Sequence, residues 1–226
     1  MRPKLIDAFA VAFAATLALH AASAAAAQKP TMNDAVLDVA HKWAHIMYQV
    51  QDEDRKEDQL KSLAGVTEKL VADYPGHAEP LIWDSVVTSS EARFANPFSA
   101  LGLAKQARDM LEQAGRIDYH ALDGAVPASL GTLYFMVPGF PIGFGDNDKA
   151  RRYLEEAVAI SPNGIDANFL YGDFLFRQKE YDNAAAALKR VLDAPHVRNR
   201  PVWDAGRRIE AQAILKKINA IVASNR

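Results

Sequence analysis

From residue 33 onward, apolar positions recur at alternating steps of three and four, the spacing that places them on one face of an α-helix. Val36, Val39, Ala40, Trp43, Ile46, Met47 and Val50 form the first such stripe and predict a helix over 33–50. A second helix is predicted over 57–74, with Ala64 and Val71 in its packing positions and Pro75-Gly76 as its breaker. The charged stretch from Asp52 to Asp58 reads as the solvated turn between the two. Further helices are predicted over 79–95 and 99–114, separated by a turn at Asn96-Pro97.

The second half of the chain adds a longer period. Ala150, Leu154 and Ala157, with Pro162 behind them, are followed thirty-four residues on by Ala184, Leu188 and Val191, with Pro195 behind. A small residue, a larger apolar one four on and a small one three further is a helix face pressed against a neighbour. Ala107, Leu111 and Ala114 carry the same triplet. Leu130-Gly131-x-x-Tyr134 and Tyr171-Gly172 supply the matching first helices, where glycine lets two backbones approach and tyrosine fills the space beyond. Thirty-four residues is the period of the tetratricopeptide repeat (TPR), a helix hairpin. The register slips between Ala107 and Ala150 because of a Gly- and Pro-rich insertion at 137–145, after which Asp146 is placed to cap the next helix. A last helix over 203–222 presents Ile209, Ile214, Leu215, Ile218 and Ile221 and is expected to cover the end of the stack. The expected fold is all-α: a right-handed superhelix of about four degenerate TPR helix hairpins plus a C-terminal capping helix.

Composition narrows the setting. Arg2 and Lys4, an apolar run from Ala8 to Leu19 and small residues from Ala21 to Ala27 match a cleaved export signal over 1–27, which leaves 28–226 as a single TPR-like α-solenoid domain. The apolar run is too short and Ala-rich for a membrane span. A net charge of −2 argues against nucleic acid, whose recognition needs a basic footprint. With no cysteine, the chain has no disulfide, no thiolate chemistry and no lipid-modified cysteine at its start. The mature protein is therefore expected to be periplasmic and not membrane-spanning, with self-association left open.

Three blocks carry a more specific likeness: Leu133-Tyr134-Phe135 running through Pro138-Gly139-Phe140-Pro141-Ile142-Gly143-Phe144-Gly145-Asp146, then Phe169-x-Tyr171-Gly172-Asp173-Phe174, and the tail Arg200-Pro201-x-x-Asp204-Ala205-Gly206-Arg207-Arg208. The chain resembles exported bacterial TPR proteins similar to the TPR component associated with TRAP-type solute transporters. That resemblance implies a periplasmic helical accessory contacting a solute-binding partner or an apolar ligand.

TPR first helices line a concave face. With Leu130-Gly131 as the seventh and eighth repeat positions, Ser129, Thr132, Phe135 and Met136 should point inward. Tyr171-Gly172 places Phe169, Asp173, Phe176 and Arg177 likewise, and the preceding pair adds Ile82, Val86 and Ser89. The candidate partner or ligand groove is therefore Phe135, Met136, Phe140, Phe144, Phe169, Asp173, Phe176 and Arg177. Aromatics with one carboxylate and one guanidinium suit an apolar or peptide ligand with a polar end. The competing reading has Phe140 and Phe144 folding back to fill that groove as core.

Other constellations read as structural. His41 and His45, with Asp38, have zinc-like spacing but face away from the Trp43 stripe and lack a general-base glutamate between them. Gly143-x-Gly145 follows a helix and lacks the rest of a phosphate loop. Arg198, Arg200, Arg207 and Arg208 could receive a partner's carboxylate or phosphate, or pair locally with Asp204, Glu210 and helix ends. No nucleophile elbow or metalloprotease motif is present, so no catalytic residue, metal or cofactor is expected. The sequence predicts a non-catalytic scaffold for a protein partner, with an accessory binding small apolar solutes or organic acids as the alternative.

Overall fold

The computed structural model describes residues 30–224, so the export signal expected over 1–27 lies outside the described residues. Nine α-helices are found among them: α1 (Met32–Gln49), α2 (Glu53–Asp73), α3 (Ala78–Glu91), α4 (Pro97–Ile117), α5 (Ala121–Met136), α6 (Asn147–Ile160), α7 (Ile165–Arg177), α8 (Tyr181–Asp193) and α9 (Pro201–Ser224). None is long and apolar enough to cross a membrane.

Their starts are written in short polar residues. Thr31 and Asp34 form a capping box at α1, Asn96 caps α4 with Pro97 in its first turn, and Asp146 accepts from the backbone N–H of Asp148 and Lys149 to open α6. Asp52 caps α2 by accepting from the N–H of Arg55. The charged stretch beyond it is therefore the first turn of α2 rather than a loop, because acidic side chains suit the positive end of a helix. α5 opens on three consecutive left-handed residues, Leu122, Asp123 and Gly124, and runs regularly only after them.

Adjacent helices pair as hairpins, α1 with α2, α3 with α4, α5 with α6 and α7 with α8. The small-large-small triplets lie at the hairpin seams, with Ala107, Leu111, Ala114, Ala150, Leu154, Ala157, Ala184, Leu188 and Val191 all buried. Glycine sets the closest approaches. A methyl added at Gly131 would stand 2.6 Å from Leu154 Cγ, and one at Gly172 would stand 2.8 Å from Leu188 Cγ. The architecture is the all-α, TPR-like solenoid that the period predicts.

α9 does more than cover an end. It packs on α8 and α7, and also reaches α1 at the other end of the chain. The odd-numbered helices thus form an inner ring, α1 to α3 to α5 to α7 to α9 and back to α1. The closing seam again uses a glycine: a methyl on Gly206 would fall 2.6 Å from the ring of Tyr48. One large apolar cluster spans this seam, joining Trp43, Val39 and Ile46 of α1 to Trp203, Ala211 and Ile218 of α9.

Buried polar groups brace the ring. Thr67 of α2 donates to Asp84 of α3 at 2.6 Å. Burial pushes the Asp84 carboxyl above its ordinary range and the Thr67 hydrogen bond only partly offsets this. Asn168, fully buried, donates to Pro162 O and Gly164 O and accepts from Arg190 Nε at 2.7 Å, tying the α6–α7 turn to α8. Asp204 receives His196 Nδ1, the Val197 N–H and Arg208. Its burial opposes ionisation, but those hydrogen bonds outweigh it and hold the carboxyl at about 2.

Candidate functional site

Because the inner helices run through the middle of the molecule, residues spaced along each of them line two cavities, one above the other. The upper cavity, about 1350 Å³, is formed by the later turns of α1, α3, α5 and α7, by α4 from Pro97 to Leu111 and by α9 from Pro201 to Lys217. The lower one, about 620 Å³, is formed by the first turns of α1, α3, α5 and α7 together with the segment from Ala194 to Trp203.

Five of the eight predicted groove residues, Phe135, Met136, Phe169, Asp173 and Arg177, line the upper cavity, together with Ser129, Thr132, Val86 and Ser89. Phe169 is buried against it, and Phe135 meets Phe174 edge-on at 5.6 Å, with the Arg177 guanidinium 5.6 Å from its ring. Arg177 Nε also donates to Asp173 at 3.1 Å, so the predicted carboxylate and guanidinium neutralise one another. Ile82 lies instead in the seam between α3 and α4.

Three predicted groove residues stand elsewhere. Phe176 leans toward α8 and tilts against Tyr181, because its position on α7 faces the hairpin partner and not the ring. Phe144 is neither groove wall nor groove filling. It packs edge-on to Tyr134 at 5.5 Å, with Arg108 over its other side at 4.7 Å. Phe140 is 94% exposed at the tip of the insertion. The insertion cannot fold inward, because its backbone is tied to itself and to α5: Gly145 N–H donates to Pro138 O and Asp146 N–H to Tyr134 O. A Cβ at Gly145 would lie 1.9 Å from Val137 O, so only glycine allows this doubling back. Val137, Pro138 and Ile142 consequently form one side of the cavity mouth and leave it open.

The sequence reading missed the floor of the cavity. Arg207 Nε donates to Asp166 at 2.8 Å, and its Nη1 donates to Glu210 at 2.9 Å. Its guanidinium carbon lies 4.7 Å from the Phe169 ring and 5.8 Å from Trp43. Tyr48 OH donates to Glu210 from across the α1–α9 seam. Burial works against the Arg207 charge, but Asp166, Tyr48 and Glu210 outweigh it and hold the group above its ordinary value. Burial also raises Tyr48, with Glu210 and Asp166 reinforcing the shift and Arg207 opposing it. The spacing of Arg207 and Glu210 along one helix was a legible signal, but Asp166 and Tyr48 join them only through ring closure.

Charge in the upper cavity is lopsided. Asp173 and Glu210 are its lining carboxylates, and each is engaged by an arginine. Lys56 pairs with Glu53 outside it at 2.6 Å. Arg93 and Lys217 line the cavity and have no carboxylate partner among the described residues.

The remaining candidates resolve locally. His41 Nε2 meets Asn199 O and His45 Nδ1 meets Gln49, so the two rings serve separate partners. Among the described residues, no group of three or more His, Cys, Asp or Glu is placed to hold a metal ion. Arg208 donates to the carbonyls of Val191, Leu192, Ala194 and Pro195, closing the end of α8, and Arg200 lies over Trp203 at 4.0 Å. Local pairing therefore accounts for three of the four clustered arginines.

Comparison with curated proteins gives no match. Residues 142–209, from the end of the insertion through α6, α7 and α8 into α9, match the tetratricopeptide repeat family, which supports a TPR protein and, with it, an interaction scaffold.

Proposed function

We propose that this protein is a non-catalytic binder of small amphipathic organic acids, taken up in the upper cavity. The observation that carries the reading is one deep, open-mouthed volume that combines an apolar wall with unpaired positive charge. Trp43, Phe135, Phe169, Leu133 and Ile214 supply the wall, and Arg93 and Lys217, both exposed, supply the charge at its rim. Concave, largely apolar pockets with a few convergent polar groups are the ordinary form of small-molecule sites. The export pattern in residues 1–27 supports a periplasmic setting, and the transporter-associated resemblance supports a role beside a solute-binding protein.

A second reading, docking of a protein partner, draws on the rim. Phe98 beside Pro97 and Phe140 beside Pro138 are 93% and 94% exposed next to cavity-lining positions. Large aromatic side chains left exposed beside a cavity suit an interaction surface.

Native mass spectrometry of the purified protein tests the first reading: a retained organic acid is expected. Exchanging Arg93 and Lys217 together for Gln should weaken binding of a fatty or aromatic acid by about 10- to 100-fold, the effect of losing charge-assisted hydrogen bonds. A clean apo mass, with no thermal shift from either class of acid, would sink it. Pull-downs from periplasmic extract with Phe98→Ser and Phe140→Ser address the rim, where an unchanged set of captured proteins counts against docking there.

A further inference from the structure

The two cavities are stacked on one axis. Ala40 of α1 lines the lower cavity and Trp43 the upper; on α3 the same division falls between Trp83 and Val86, and on α7 between Ala167 and Phe169. Each step spans about one helical turn or less, so the cavities are separated by roughly 5 Å or less along the helix axes. At that level the described structure places a single cation bridging two carboxylates. Asp166 lines the lower cavity, Glu210 lines the upper one, and Arg207 joins them.

We infer that the Asp166–Arg207–Glu210 bridge is the inner wall of the ligand site, so that it fixes both the orientation and the length of the molecule accepted. This rests on the organic-acid reading of the upper cavity. The physical reason is the charge of the wall itself. Arg207 is bonded to both acids and covered by the Phe169 and Trp43 rings, with its side chain 14% exposed. One guanidinium between two carboxylates carries a net negative charge and repels an acidic headgroup. The head is therefore held by Arg93 and Lys217, and the apolar tail runs down to the bridge. Methylenes are gained up to that wall and not beyond it, because passing it would pull the buried Arg207 guanidinium from both of its carboxylates.

The test is a competition series of straight-chain carboxylates, from about six to about twenty carbons, against a fluorescent fatty acid on the full chain. With the native protein, affinity should rise about fourfold per added methylene and then level off. Losing Arg207 alone leaves two half-exposed acids facing one another without their shared cation, so the variant of choice combines Asp166→Asn, Arg207→Leu and Glu210→Gln. In that variant the levelling should move to longer chains by several carbons. An unmoved break in a folded triple variant overturns the wall while leaving the binding site intact. Absence of any carboxylate binding to the native protein removes the organic-acid reading, and this one with it.

Orientation is tested without any variant. A carboxylate brominated at its tail end should quench tryptophan fluorescence more than one brominated next to the carboxyl, because Trp43 stands beside the bridge. The reverse order overturns the inference even if the triple variant does not fold.

Discussion

The α5–α6 and α7–α8 hairpin seams and the ring-closing seam use the same device, a glycine facing a large side chain, but they belong to different levels of organisation. Gly131 against Leu154 and Gly172 against Leu188 join helices that are neighbours in sequence, and both pairs recur with the repeat. Gly206 against Tyr48 joins helices at opposite ends of the chain and appears once. The first kind builds the two later hairpins and can be copied along a solenoid. The second exists only because the copied hairpins curve far enough to meet, and it turns a concave face into a deep cavity with an open mouth.

That comparison is broken most severely at the repeat seams. Leu154→Ala and Leu188→Ala each empty a site with no exposed surface and should cost about 2–5 kcal/mol, read from urea unfolding. An effect well under 1 kcal/mol at either site would mean that the seam is not tightly packed. Gly206→Val drives a side chain into the Tyr48 ring and should cost about 1–3 kcal/mol. Its distinguishing sign is local: amide exchange should quicken in α1 and α9 while α5 to α8 keep their protection. Uniform loss of protection would contradict a closing seam separable from the hairpins.

A smaller contribution comes from Asp204, which anchors the segment before α9. Its folded value of about 2 lies below the ordinary 3.8, so its stabilisation is full above pH 3.8 and is lost as pH falls toward 2. The loss is roughly 2 kcal/mol at most, and acid unfolding of Asp204→Asn should lack this component. The smallest effect belongs to the insertion tip. Phe140→Ser should change stability by no more than about 0.5 kcal/mol and leave organic-acid affinity untouched, since the side chain contacts solvent and does not line the cavity.

Much of this fold is legible locally. The starts of α4 and α6 follow from Asn96, Pro97 and Asp146, because a cap satisfies backbone donors within three residues of itself. α2 begins earlier than its apolar stripe suggests, since Asp52 caps a first turn that is wholly charged. The candidate groove is legible less evenly. Phe135, Phe169, Asp173 and Arg177 line the cavity because repeat position fixes which side of a first helix turns inward. Phe176 shares that helix but points to Tyr181, as a turn of helix offers several near-inward directions that only the neighbouring helix distinguishes. Phe140 and Phe144 sit outside any repeat, so no periodicity constrained them.

The sequence by itself determined the helices, their caps, their pairing into hairpins and the small residues at each seam, because these depend on contacts a few to a few tens of residues apart. Tertiary structure alone decided that α9 meets α1, that Tyr48 lies on Gly206 and bonds Glu210, and that Arg207 bridges two acids between two cavities. The reason is geometric: small rotations between successive hairpins accumulate, and no local pattern records whether their sum closes a ring.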